Sequence, residues 1–200
     1  MKKILILGGT RYLGLELINL LDNSCNEFVV ASRKKIKVNN FIKIDRKSQV
    51  DLDKLLQENQ FDVIVDFINY SNSDSKLLLK SIGNQDKIPK LILISTTYTY
   101  GLPSKVKLDS IYSETDFQPN EHIKPIIDRS NISYAEGKRN MESYCVRNYR
   151  NDKLLILRFP IILGANDYTG RTNFYLEKIK NNKKINPKNI DKKKLLYFFN

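Results

Sequence analysis

The sequence holds a single histidine, His122, and two cysteines, Cys25 and Cys145. One imidazole excludes a multi-histidine metal site and leaves little room for a histidine-based triad. The cysteines show neither a CxxC pair nor metal-ligand spacing, so they read as two reduced thiols and no metal is expected. Long hydrophobic runs are also missing. None approaches the roughly 18–20 apolar residues of a membrane span. The start, Met1-Lys2-Lys3-Ile4-Leu5-Ile6-Leu7, has the outline of a signal peptide. Its apolar stretch is too short, however, and it runs into Gly8-Gly9-Thr10-Arg11 instead of a small-residue cleavage site. A cytoplasmic chain with no membrane partner is the expectation.

What is there suits one ordinary domain or a little more: 200 residues, 41% of them hydrophobic, enough for a sizeable core. The net charge of +12 comes from lysines spread along the chain, denser at residues 33–37 and 178–194. Spread charge of this kind is mostly solvated surface. It would also steer an anionic nucleotide ligand toward the protein.

Short apolar runs alternate with amphipathic stretches. Residues 4–7, 27–31, 41–44, 62–67, 90–95 and 154–159 read as strands. Residues 12–21, 51–58, 75–82, 134–149 and 173–180 read as helices. The strand at 90–95 is apolar without alternation, as strands covered on both faces tend to be. Residues 101–133, with Pro103, Pro119 and Pro125, form a long irregular excursion, which in a compact domain is usually functional. The basic end, 183–200, is ambiguous. Strand–helix alternation predicts an α/β fold of the Rossmann type, a doubly wound parallel sheet with helices on both faces.

Between the first strand and first helix lies Gly8-Gly9-Thr10-Arg11-Tyr12-Leu13-Gly14, where a dinucleotide fingerprint belongs. Gly8 permits the sharp turn, Gly14 permits close helix packing, and the helix N-terminus offers N–H groups to a pyrophosphate. Arg11 replaces the middle glycine and brings a guanidinium that can itself meet phosphate. The second strand ends Ala31-Ser32-Arg33-Lys34-Lys35, without the acid that usually holds a ribose 2′-hydroxyl. Ser32 and Arg33 would welcome a 2′-phosphate, so NADP is favoured over NAD. Asp45, after the third strand, is placed to accept a hydrogen bond from an adenine amino group.

Tyr134 and Lys138 share one face of a helix at i, i+4. A nearby ammonium favours phenolate, which would make Tyr134 a usable acid or base. The hydroxyl-rich end of the fifth strand, with Ser95 and Thr96, supplies a donor for a substrate oxygen at the sheet's carboxyl edge.

Together these segments resemble the extended and atypical short-chain dehydrogenases, the NAD-dependent epimerase/dehydratase family, over nearly the whole length. The turn at residues 8–14 is similar to the GGTRFLG variant of one subgroup, and Ser32-Arg33, Asp45-Arg46 and residues 61–66 sit where that subgroup has similar residues. Residues 95–101 resemble the family's SSxxVYG, Glu114 and Pro119 its E…P segment, and Tyr134, Lys138 and Glu142 its Y-x-x-x-K-x-x-x-E helix. Residues 157–164 resemble the segment lining the nicotinamide.

The resemblance implies Thr96, Tyr134 and Lys138 as catalytic residues. It implies a cofactor site of Gly8, Thr10, Arg11, Tyr12, Leu13, Gly14, Ser32, Arg33, Asp45, Arg46, Asn69, Tyr134, Lys138, Pro160 and Ile161. Sugar-nucleotide 4,6-dehydratases carry Asp and Glu where this chain has Thr97 and Tyr98, so the resemblance points to epimerase or reductase chemistry on a nucleotide sugar. It further implies a cofactor domain over residues 1–165 and the start of a substrate part over 166–200, which family members continue well beyond this length. Homodimers are common in the family. A dinucleotide-binding protein without turnover is the alternative. RNA binding is disfavoured, because no RNA-recognition motif is visible.

Overall fold

The computed structural model describes residues 1–101, 112–164, 167–184 and 198–199. Its six apolar runs become β1 (Lys3–Leu7), β2 (Glu27–Ser32), β3 (Phe41–Lys43), β4 (Val63–Asp66), β5 (Lys90–Thr96) and β6 (Leu154–Phe159). All pair parallel, in the order β3-β2-β1-β4-β5-β6. The order reverses at β1, so a crevice opens between β1 and β4 at the carboxyl edge, where ligands of such sheets bind.

The helices are α1 (Leu13–Asp22), α2 (Gln49–Gln57), α3 (Asn72–Gly83), α4 (Tyr134–Asn148) and α5 (Arg171–Lys180). The two-residue period of the strands divides the core between two faces. On one face Leu5, Leu7, Val29, Ala31, Leu91 and Leu93 pack with Leu52 and Leu55 of α2, Leu78 of α3, and Met141 and Cys145 of α4. On the other, Ile6, Phe28 and Val30 meet Ile18 of α1. The doubly wound sheet read from the sequence is therefore the fold, and covering on both faces explains the unbroken apolar strands.

Helix starts follow side-chain chemistry. Ser48, Ser71 and Ser133 cap α2, α3 and α4, each accepting a backbone N–H of the first turn. Ser71 is why α3 begins before its leucine-rich run. Helix α1 has no side-chain cap and is entered from Tyr12 at φ 43°. Strand β4 stops at Asp66, whose carboxylate accepts the Ile68 N–H at 3.1 Å and turns the chain.

Residues 112–133 of the irregular excursion carry three single 3₁₀ turns, Glu114–Asp116, Pro119–Glu121 and Arg129–Asn131. Nothing in the sequence announces the short parallel pair of β7 (Ile161–Ile162) and β8 (Phe198–Phe199). Residues 102–111, the expected domain boundary at 165–166, and most of the basic end lie outside the described residues. Among the described residues no helix is long and apolar enough to cross a membrane. None of their His, Cys, Asp and Glu side chains cluster so as to hold a metal ion.

Candidate dinucleotide groove and active site

The turn after β1 is built backbone against backbone. A Cβ on Gly14 would overlap the Cα, carbonyl carbon and oxygen of Gly9, itself at φ 64°. Helix α1 has no side-chain cap; the N–H groups of Gly14, Leu15 and Glu16 donate to the Arg11 and Tyr12 carbonyls, so the helix start offers an anion chiefly its partial positive charge. Arg11 is exposed, with its guanidinium 4.9 Å from the centroid of the Tyr168 ring. The buried Tyr12 hydroxyl has no partner and lies against Gly164, where a Cβ would sit 3.0 Å from it. The segment after β7 thus rests on the turn. Burial, with the Asp167 and Glu16 charges behind it, raises the Tyr12 phenol above its ordinary range.

From this turn a groove of about 540 Å³ runs along the carboxyl edge of the sheet. Of the residues expected at a cofactor, it gathers Gly8, Thr10, Arg11, Tyr12, Leu13, Ser32, Arg33, Asp45 and Arg46. Gly14 stands behind the turn. Asn69, Tyr134, Lys138, Pro160 and Ile161 do not line the groove, whereas Ile162 does. Asn69 is buried, its side-chain oxygen accepting from the Ser75 hydroxyl at 3.1 Å. Arg46 is committed elsewhere as well. It is buried in an ion pair with Asp66, with Asp74 at 3.5 Å, because a guanidinium taken out of water needs counter-charge. The Ser32 hydroxyl donates to the Lys34 carbonyl at 2.8 Å, folding the basic tip of β2 over the groove edge.

At the other end, Thr96 closes β5 and Tyr134 opens α4. Thr96 stands close enough to the Tyr134 phenol to bear on its ionisation, and Tyr134 as a residue is 45% exposed. Lys138 is only 2% exposed. Its ammonium donates to the carbonyls of Asn69 (2.7 Å) and Ile94 (2.6 Å) and lies 4.8 Å from the Tyr70 ring centroid. Burial brings Lys138 down to about 8. Burial, followed by the neighbouring Tyr70, raises the Tyr134 phenol, and Thr96 and Arg129 oppose that rise. The expected lowering of Tyr134 by Lys138 is therefore not what this geometry produces. The lysine is drawn to the backbone, and the phenol loses solvent.

Motif spacing marks Lys138, Glu142 and Glu114 in the sequence, but not the partners that they and their neighbours find here. Residues 137–143 of α4 are all buried although most are polar. Arg139 donates to the carbonyls of Thr99, Tyr98 and Gly101, clipping the turn after β5 onto α4. Glu142 receives the Ser95 hydroxyl and a bidentate Arg158, which also reaches the Glu114 and Phe117 carbonyls. His122 meets Glu136 at 3.1 Å and Asn140 at 2.9 Å. A Cβ at Gly137 would strike the Tyr70 carbonyl, so glycine lets α4 dock against the loop after β4. Period-based reading assigns polar helix residues to solvent and cannot find such partners. Tyr70 and Arg129 were missed for a different reason, since each sits in a loop with no pattern of its own.

A family model described as NAD dependent epimerase/dehydratase family matches residues 4–193. No curated protein matches the sequence. Among solved structures, the fold is similar to that of a dTDP-glucose 4,6-dehydratase from Bacillus anthracis str. Ames in complex with NAD. That match has 17% identity and a TM-score of 0.69, and covers 92% of this chain and 63% of the other. A UDP-glucose 4-epimerase from Thermotoga maritima with UDP-glucose gives 17%, 0.66, 92% and 64%. A further UDP-glucose 4-epimerase gives 21%, 0.63, 82% and 53%. The chain thus spans less than two thirds of the length of each of these structures, and at such identities the likeness is one of fold.

Proposed function

The chain belongs to the NAD-dependent epimerase/dehydratase family, and from that premise we propose that it binds NADP in preference to NAD as the cofactor part of a nucleotide-sugar epimerase or reductase. One observation carries the proposal. Thr96 ends β5 and Tyr134 begins α4 as neighbours at the carboxyl edge of the sheet, with the Tyr134 ring 6.2 Å from that of Tyr70, and Tyr70 and Ile94 line the groove that begins at the glycine turn.

The residues fit a dinucleotide. The backbone contact of Gly9 with Gly14 brings the turn close against the uncapped start of α1, where a pyrophosphate would lie. Ser32, Arg33 and Lys34 edge the groove with no acid among them, which favours a 2′-phosphate over a bare hydroxyl. When bound, the nicotinamide exchanges a hydride with the substrate carbon. Tyr134 passes the proton of the reacting hydroxyl, and Thr96 holds the same oxygen. Lys138 keeps positive charge beneath the site. In an epimerase the same two hydroxyls act again after the substrate has turned its other face.

The test is thermal stabilisation by NADP and by NAD, followed by nicotinamide absorbance in the presence of nucleotide sugars. Stabilisation by NADP above NAD, with an absorbance change on adding a sugar nucleotide, is expected. Binding of neither dinucleotide at millimolar concentration overturns the proposal. A second reading, dinucleotide binding without turnover, is favoured by Lys138, whose ammonium is engaged by two carbonyls and not by the phenol. It predicts stabilisation with no absorbance change.

A further inference from the structure

Two arginines flank the groove, and each rests on a tyrosine. The guanidinium of Arg11 lies 4.9 Å from the Tyr168 ring centroid, and that of Arg129 lies 3.9 Å from the Tyr70 ring centroid. All four residues line the same groove. The two tyrosines are close enough that Tyr168 acts electrostatically on Tyr70. Among the described residues neither guanidinium pairs with a carboxylate.

Arg129 is presented by a fixed piece of backbone. Buried Asn72 donates to the Pro125 carbonyl at 2.7 Å and accepts the Ile127 N–H at 2.9 Å. Asp128 accepts the Ser130 N–H at 3.0 Å and pairs with Lys47 at 3.3 Å, across the groove edge. Arg11 comes from a different segment, next to the uncapped start of α1. A cation on a neutral ring at an exposed site is held weakly compared with one making charge-assisted bonds to phosphate. The planar fork of each arginine matches one phosphoryl group, and two forks match two.

We propose that Arg11 and Arg129 are the two arms of a clamp for a diphosphate, with Tyr168 and Tyr70 as their resting places. The clamp rests on the reading of the groove as a dinucleotide site. The diphosphate is either the cofactor's pyrophosphate or that of a nucleotide sugar beside it. On binding, each guanidinium leaves its ring and closes over one phosphoryl group.

The experiment compares the full chain with Arg129→Met and Arg11→Met. NADP is titrated alone, UDP is titrated against NADP-loaded protein, and 2′-AMP serves as a ligand without a diphosphate. Each variant should weaken diphosphate binding roughly tenfold, the cost of one charge-assisted hydrogen bond, and leave 2′-AMP unchanged. Loss in the NADP arm assigns the clamp to the cofactor, and loss only in the UDP arm assigns it to the substrate. Arg129→Lys, which keeps the charge without the fork, should fall between. Because both arginines are exposed, the unliganded melting temperature should not move. If wild type binds NADP but Arg129→Met leaves both diphosphate affinities unchanged, the clamp is overturned and the dinucleotide reading stands. If wild type binds neither NADP nor UDP, both fall together.

Discussion

The ammonium of Lys138 lies 4.8 Å from the centroid of the Tyr70 ring, held by the carbonyls of Asn69 and Ile94. Tyr70 also receives Arg129 on its ring and stands 6.2 Å, centroid to centroid, from Tyr134. The loop after β4 therefore inserts an aromatic side chain among Lys138, Arg129 and Tyr134 of the candidate site. It couples the lysine to the phenol through a ring and not through a hydrogen bond.

Burial of Lys138 makes folding stability depend on pH. Its ammonium titrates at about 8 in the folded chain, against 10.5 ordinarily. Below about pH 8 both states hold the proton and the full penalty of the buried charge is present. Between about 8 and 10.5 the folded state gives the proton up first, so this residue's contribution improves with rising pH, by up to about 3 kcal/mol. Urea unfolding of wild type and Lys138→Met should show the difference moving toward wild type across that window. A difference that stays flat contradicts the burial of the ammonium.

Tyr134→Phe removes only the hydroxyl of a residue that is about half exposed. Turnover should drop roughly 10²–10⁴-fold while NADP still stabilises the fold. In the unliganded chain, burial holds this phenol above the ordinary tyrosine range, so it is protonated at neutral pH. Ultraviolet titration of the variant should lack one late alkaline step. A variant with wild-type turnover removes Tyr134 from the chemistry.

Glu142 is fully buried and holds both the Ser95 hydroxyl and Arg158. Arg158→Met strands that carboxylate and should cost about 3–5 kcal/mol in urea unfolding. Pairing it with Glu142→Leu should recover a large part, since no buried charge is then left alone. Arg158 also ties the Glu114 and Phe117 carbonyls, so the single variant should open residues 112–133 to limited proteolysis.

Gly14→Ala places a methyl inside the backbone of Gly9, which has no flexible end to move aside. The expected cost is about 3 kcal/mol or more, with loss of NADP stabilisation, read from thermal melts. Gly83→Ala, where a methyl would meet nothing, is the control and should be close to neutral.

Arg33 is exposed at the tip of β2 and edges the groove. Arg33→Ala should lower NADP affinity roughly tenfold and leave NAD affinity nearly unchanged, as calorimetry can separate. Equal losses for both cofactors would mean that Arg33 does not meet a 2′-phosphate.

Strand–helix alternation, the glycine turn and the Tyr134/Lys138 spacing could be read directly, because each is a local pattern that backbone geometry imposes on nearby residues. The six strands and the helices on both faces follow from apolar runs that only a covered parallel sheet can hide, whereas the strand order β3-β2-β1-β4-β5-β6 is visible only in the folded chain. Tertiary packing alone decided where the polar residues of α4 go. Lys138, Arg139 and Glu142 look solvent-facing by composition, yet they are buried because carbonyls from β5, its following turn and the loop after β4, together with Arg158, converge on them. Those partners lie 38 to 41 residues away for Arg139, and 69 residues separate Asn69 from Lys138. No periodicity spans such distances, so only the folded chain determines which charge meets which carbonyl, and that Tyr70 and Arg129 share the groove.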